Sequence, residues 1–157
     1  MSSLTMTKSQ LQRANERVAG WLARNSINFL RLSLGLVFLG FGMLKFFPGT
    51  SPAAELVIRT FDRLSLGIIP GNAALLITAT AECVIGLTLI TGRFLRTGLL
   101  VLAVSMVGIM SPLVLFFGDL FPSGGPTLEA QYVFKDIVLA SAGLVIAARA
   151  MGARLVR

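Results

Sequence analysis

The chain has 157 residues, 55% of them hydrophobic and 13% charged, with a mean hydropathy of +0.82 and a net charge of +7. A soluble domain carries roughly 25% charged residues, so the composition excludes a soluble protein and predicts an all-α membrane protein. There is no histidine and a single cysteine, Cys83, which excludes a histidine-ligated haem, a His/Cys metal site and a dithiol–disulfide cycle within one chain.

Residues 1–27 read as a cytoplasmic amphipathic segment. Leu11, Ala14, Val18, Trp21 and Leu22 recur at helical spacing, and Lys8, Arg13, Arg17 and Arg24 fill the remaining positions. That pattern predicts an interfacial helix over 8–24, lying among lipid headgroups with Trp21 as its anchor. A basic start followed by apolar residues also resembles a cleaved signal peptide. The apolar run is about 20 residues, however, and exceeds the roughly 7–15 of a signal h-region.

Residues 28–150 hold four apolar stretches, at about 28–47, 72–91, 95–117 and 132–150. Each has about the 20 residues that a helix needs to cross hydrocarbon. Pro48 and Gly49 end the first. Residues 51–66 predict a short outer amphipathic helix, with Ser51 as N-cap, Pro52 in the first turn and Gly67 as the stop. Its apolar face is Leu56, Val57, Phe61 and Leu64, and its polar face is Glu55, Arg59, Asp62 and Arg63. Thr91-Gly92-Arg93 makes the next turn, Pro112 is expected to kink the third stretch, and 118–130 is a Gly/Pro-rich outer loop. Residues 151–157 form a basic cytoplasmic tail. The expected fold is therefore a four-transmembrane-helix bundle with an N-terminal interfacial helix and a short outer helix.

The positive charge invites a nucleic-acid reading, but its distribution argues against one. Lys8, Arg13, Arg17, Arg24, Arg31, Arg93, Arg96, Arg149, Arg154 and Arg157 account for ten of the 14 basic residues and fall on one side of a chain that crosses four times. This is the positive-inside pattern, with both termini cytoplasmic and the lipid bilayer as the partner.

Charged groups inside the stretches are the candidate site. Arg31, Gly35, Phe38, Gly42 and Lys45 share one face of the first helix, with glycines that admit a close neighbour. Thr78, Glu82 and Gly86 share a face of the second. Glu82 lies about 15 Å from either end of its helix at 1.5 Å per residue, too deep to snorkel, so it calls for a counter-charge. Either Arg31 or Lys45 can supply it. On the last stretch Tyr132 and Asp136 share a face, with Lys135 beside them, and a Lys45–Asp136 contact is expected at that depth. Simple ion pairing between helices is the competing explanation for the Lys45, Lys135 and Asp136 cluster. Cys83 reads as a small packing residue.

Arg31-Leu-Ser-Leu-Gly35 with Phe38-Leu-Gly-Phe-Gly-Met-Leu-Lys45-Phe-Phe-Pro48 resembles the first helix of the DoxX-like membrane proteins. Glu82-Cys-Val-Ile-Gly86, Ser111-Pro112-Leu and Leu128-Glu129-Ala-Gln-Tyr-Val-Phe-Lys135-Asp136 are similar to the later helices. Within that group the chain is most similar to the YkgB/RclC branch, linked to reactive-chlorine resistance, although it lacks a long insertion after the first helix. The resemblance implies a multi-pass protein of the bacterial inner membrane in a redox setting: thiosulfate:quinone oxidoreduction, or complexes handling thiol or oxidant stress. It also implies Arg31, Lys45, Glu82, Lys135 and Asp136 as site residues.

The expected function is a small membrane subunit of an oxidant- or sulfur-stress redox system. It would bind a quinone or lipid-like molecule near Glu82, with Glu82 as a proton relay. The chain has no flavin, metal, haem or dithiol motif and no covalent cofactor is expected, so electrons would come from a partner protein, or the site would be completed by another copy. Two alternatives stand beside it: transport of a small solute or proton past Glu82, and a non-catalytic anchor or assembly factor.

Overall fold

A computed structural model describes the backbone of residues 2–153, with side chains from residue 10 onward. Lys8 of the amphipathic segment and Arg154 and Arg157 of the tail therefore lie outside the described side chains. Every regular element among the described residues is helical: α1 (Ser2–Leu44), α2 (Ala54–Ser65), α3 (Gly71–Thr91), α4 (Leu95–Met110), α5 (Pro112–Leu115), α6 (Phe117–Leu120) and α7 (Leu128–Ala150).

Helix α1 packs on α3, α3 on α4, α4 on α7, and α7 returns to α1, which closes a bundle of four long helices. Three stretches are long and apolar enough to cross a membrane: Gln10–Leu44, Gly71–Thr91 and Leu95–Leu115. Helix α7 has 23 residues and carries Glu129, Lys135 and Asp136 near its start. Arg93, Arg96 and Arg149 cluster at one end of the bundle, here the basic end. The α2, α5 and α6 helices lie across the other, the capped end.

The amphipathic segment and the first apolar stretch are one helix. Helix α1 is continuous over 43 residues, about 65 Å at 1.5 Å per residue, against about 32 Å for α3. No proline interrupts it, and Gly20 alone costs only about 1 kcal/mol of helix propensity. Its first half therefore runs on past the bundle, with Leu11 and Val18 exposed. Trp21 packs on Phe29, their ring centroids 5.7 Å apart.

Glycines set the α1–α3 crossing. A Cβ added to Gly86 would lie 2.7 Å from the backbone nitrogen of Leu39 and 2.8 Å from the carbonyl oxygen of Gly35. One at Gly42 would lie 2.9 Å from the Cβ of Glu82 and 3.0 Å from the backbone nitrogen of Cys83. Without side chains at these points the two backbones approach closely enough for dispersion contacts to hold them in lipid. The same contacts fix the register, bringing the C-terminal turn of α1 level with Glu82.

The apolar core occupies the half of the bundle nearer the basic end. Leu34, Phe38, Ile85, Leu89, Leu102, Met106 and Ile146 form one buried cluster. Thr88 meets Gly98 and Leu102 meets Gly143, so α4 is pressed tightly against α3 and α7 at this level.

Toward the capped end the packing changes. Helix α4 ends at Met110 and α5 begins at Pro112, with Ser111 between them still in the right-handed helical region, so the stretch Leu95–Leu115 is interrupted at the proline expected to kink it. Proline has no N–H to donate to the carbonyl of Gly108. The Ser111 hydroxyl donates to that carbonyl instead, at 2.7 Å. A backbone acceptor freed at membrane depth is thereby satisfied locally.

Helix α2 caps this end. Its start is Ala53 rather than the expected Ser51 side-chain cap: Ser51 Oγ is buried without a partner, and only its carbonyl accepts, from the N–H of Ala54. Its stop is as expected, with Leu66 and Gly67 at positive φ and the Gly67 N–H donating to the Asp62 carbonyl. Leu56 and Thr60 face inward, and Arg59 pairs with Asp119 while lying 4.7 Å over the Phe116 ring. That cross-link ties α2 to the α5–α6 segment.

Candidate functional site

Above the apolar core and below α2 lies a cavity of about 540 Å³. Its walls are mostly apolar: Val37 and Phe38 of α1, Leu56 and Phe61 of α2, Ala81 of α3, and Ile109 of α4. Its polar groups come from Lys45, Thr60, Thr78, Glu82, Ser105, Tyr132, Lys135 and Asp136. Four of the five residues singled out from the sequence therefore share one chamber.

Lys45 supplies the counter-charge to Glu82. Its Nζ lies 2.6 Å from Glu82 Oε2, and the two side chains are 3% and 8% exposed. The reason is geometric. Side chains on a helix tilt toward its N-terminus, so Lys45, just past the end of α1, reaches back into the bundle. Its Nζ also approaches the carbonyl of Phe41, at 3.4 Å. A charge-assisted hydrogen bond of this length is the strong kind, and it neutralises a carboxylate that could not otherwise be left ionised at this depth.

Arg31 is elsewhere. It stands fourteen residues earlier on α1, roughly 21 Å away along the axis. Its guanidinium packs against Gly92, the left-handed cap at the C-terminus of α3, where φ is +71°. A cation at a helix C-terminus complements the partial negative charge there. Arg31 Nε is buried without a partner. Arg31 therefore belongs to the basic end and not to the cavity.

The expected Lys45–Asp136 contact does not form, because Lys45 is committed to Glu82. Asp136 lines the cavity within electrostatic reach of Lys135, Glu82 and Lys45. It has no ion-pair partner within 4.0 Å among the described residues. The Lys135 ammonium lies 4.1 Å from the Tyr132 ring centroid and 5.1 Å from that of Phe41. Aromatic faces thus hold this cation in place of a carboxylate.

The cavity is open on one side. Ile77 of α3 and Leu100 and Val104 of α4 line it, yet are 49%, 66% and 67% exposed. The exposed part of the cavity's lining thus lies on α3 and α4, beyond the level where Thr88 meets Gly98, and is here called the gap. In a bilayer that gap faces acyl chains.

Sequence reasoning missed Ser105 and Thr60 as part of the chamber, and placed Tyr132 beside Asp136 without making it a site residue. Tyr132 had a signal, since it lies one turn before Asp136 on the same face. Ser105 and Thr60 had none, because a lone hydroxyl on an apolar helix normally bonds its own backbone, as Thr60 does to Leu56 at 2.6 Å. Cys83 is half-buried, its sulfur against Gly42, as expected of a packing residue. No group of three or more metal-ligating side chains occurs among the described residues.

The family model of DoxX matches residues 26–118, more than half of the chain. No curated protein and no solved structure matches. The chain belongs to the DoxX family, and with its apolar helices it is a multi-pass membrane protein.

Proposed function

For this DoxX-family chain we propose a membrane-embedded binding site for a quinone or similar amphiphile, in a small subunit of a redox or oxidant/sulfur-stress system. Helix α7 serves as the fourth crossing, and both termini lie on the cytoplasmic side of a bacterial inner membrane. The observation that carries the reading is the shape and polarity of the cavity: apolar walls, charged groups gathered in one region, and a gap along α3 and α4 facing the lipid. Ligand sites are mostly apolar, with a few placed polar groups. A lipid-soluble molecule reaches such a site without crossing water, its tail in the gap and its head at Lys45, Glu82, Lys135 and Asp136. Arg31, far from the head, keeps a role at the basic end.

Reduction of a quinone to a quinol takes up two electrons and two protons. The carboxylates of Glu82 and Asp136 are the groups placed to take up protons and hand them on to a bound head, each returning to its acceptor form. Electrons come from a partner protein, which makes this chain a subunit rather than an enzyme alone. The YkgB/RclC-like role in oxidant resistance falls within this reading. Permeation is less well supported: Leu34, Ile85 and Leu89, each 3% exposed or less, lie between Glu82 and the basic end with no polar path through them.

The test is saturable binding of decylbenzoquinone or decylhydroquinone to the protein in lipid nanodiscs, measured against empty nanodiscs. Val104→Trp, which fills the gap without touching a charged group, is expected to weaken binding at least about tenfold. Absence of saturable binding for both compounds defeats the proposal.

A further inference from the structure

We infer that Asp136 is the group that selects the ligand's head, and that it selects a head bearing a hydroxyl donor: a long-chain phenol or hydroquinone over the corresponding carbonyl-only compound. This rests on the amphiphile-binding reading above.

Four charged side chains line the cavity, and two of them are paired with each other. Lys45 and Glu82 satisfy each other at 2.6 Å. Lys135 is held over the rings of Tyr132 and Phe41. Asp136 and Lys135 each make no ion pair within 4.0 Å and no side-chain hydrogen bond among the described residues, but only Lys135 has ring faces to hold its charge. The threonine hydroxyls in the wall cannot serve it, since Thr60 and Thr78 donate to the carbonyls of Leu56 and Ala74. A carboxyl group half-buried in an apolar chamber with no donor assigned to it is an unmet acceptor. A hydroxyl on the ligand meets that need and can still accept from Tyr132 or Ser105, whose hydroxyls make no hydrogen bond among the described residues. A carbonyl in the same place sets oxygen lone pairs against the Asp136 oxygens. Sites built around a buried polar group discriminate sharply against analogues that leave it unpaired.

The experiment uses the full chain in lipid nanodiscs under anaerobic conditions, with three probes of one chain length: decylhydroquinone, its dimethyl ether and decylbenzoquinone. The hydroquinone is expected to bind at least about tenfold more tightly than the other two, as a donor to a charged acceptor requires. Asp136→Leu is expected to abolish that preference while leaving thermal unfolding of the bundle cooperative. Equal affinity for hydroquinone and dimethyl ether overturns the inference on the unmutated protein alone. So does a preference that survives Asp136→Leu. Tighter binding of the benzoquinone overturns it too, but leaves the proposed function standing. Failure of all three probes to bind overturns both.

Discussion

Replacing Lys45 with methionine removes the cation and keeps most of the side chain's volume. The consequence follows from the geometry. Opposite unit charges at 2.6 Å attract by about 6 kcal/mol at an effective dielectric near 20. Desolvation of two buried ions offsets most of that, so the intact pair adds little net stability. Removing one partner is different, because the other charge is left buried and unpaired, at a cost of about 3–5 kcal/mol. The orphaned Glu82 can take up a proton, which holds the cost near the lower figure. Lys45→Met and Glu82→Leu are therefore each expected to destabilise the bundle by about 3 kcal/mol, and the double variant by no more than about 1 kcal/mol. The coupling energy is then at least about 5 kcal/mol. Reversible unfolding in mixed micelles, followed by helicity as SDS is titrated in, reads all four corners of the cycle. A double variant as unstable as the sum of the two singles would falsify the pairing, as would Lys45→Met behaving like the unmutated chain.

The other predictions concern the frame around the site. Gly86→Ala places a methyl 2.7 Å from the backbone of Leu39 and should cost about 1–3 kcal/mol. Gly40→Ala, with nothing within 4 Å, should instead be neutral or stabilising by up to about 1 kcal/mol; the same unfolding assay compares them. Gly92→Ala forces a side chain into the left-handed cap against Arg31 and should cost about 1–2 kcal/mol, read as a lowered thermal midpoint. Thr127→Ala removes the hydroxyl that accepts from the Ala130 N–H at 3.1 Å and should cost about 1 kcal/mol, with hydrogen exchange rising in the first turn of α7. The Arg59–Asp119 pair is half-exposed, so Arg59→Gln should cost at most about 1 kcal/mol from the ion pair. Its effect should shrink further in high salt.

Sequence alone determined what depends on one helix at a time. The apolar run at 72–91 lies within one residue of α3, Gly71–Thr91, because the length of hydrocarbon to be crossed and the glycine after Thr91 set both its ends. The amphipathic pattern of 51–66 likewise located α2, and the spacing of Gly35, Phe38, Gly42 and Lys45 identified the buried face of α1. Periodicity gives each side chain its face, but not the height at which one helix stands against the next. That height was decided by Gly42 resting on Glu82 and Cys83, and by Gly86 on Leu39. It raised Lys45 to Glu82 and left Arg31 at the cap of α3. The continuity of α1 was equally hidden, since an amphipathic segment followed by an apolar one has the same pattern with or without a bend. The cavity belonged to no single element: α1, α3, α4 and α7 wall it above the apolar core, while α2, cross-linked through Arg59, closes the end.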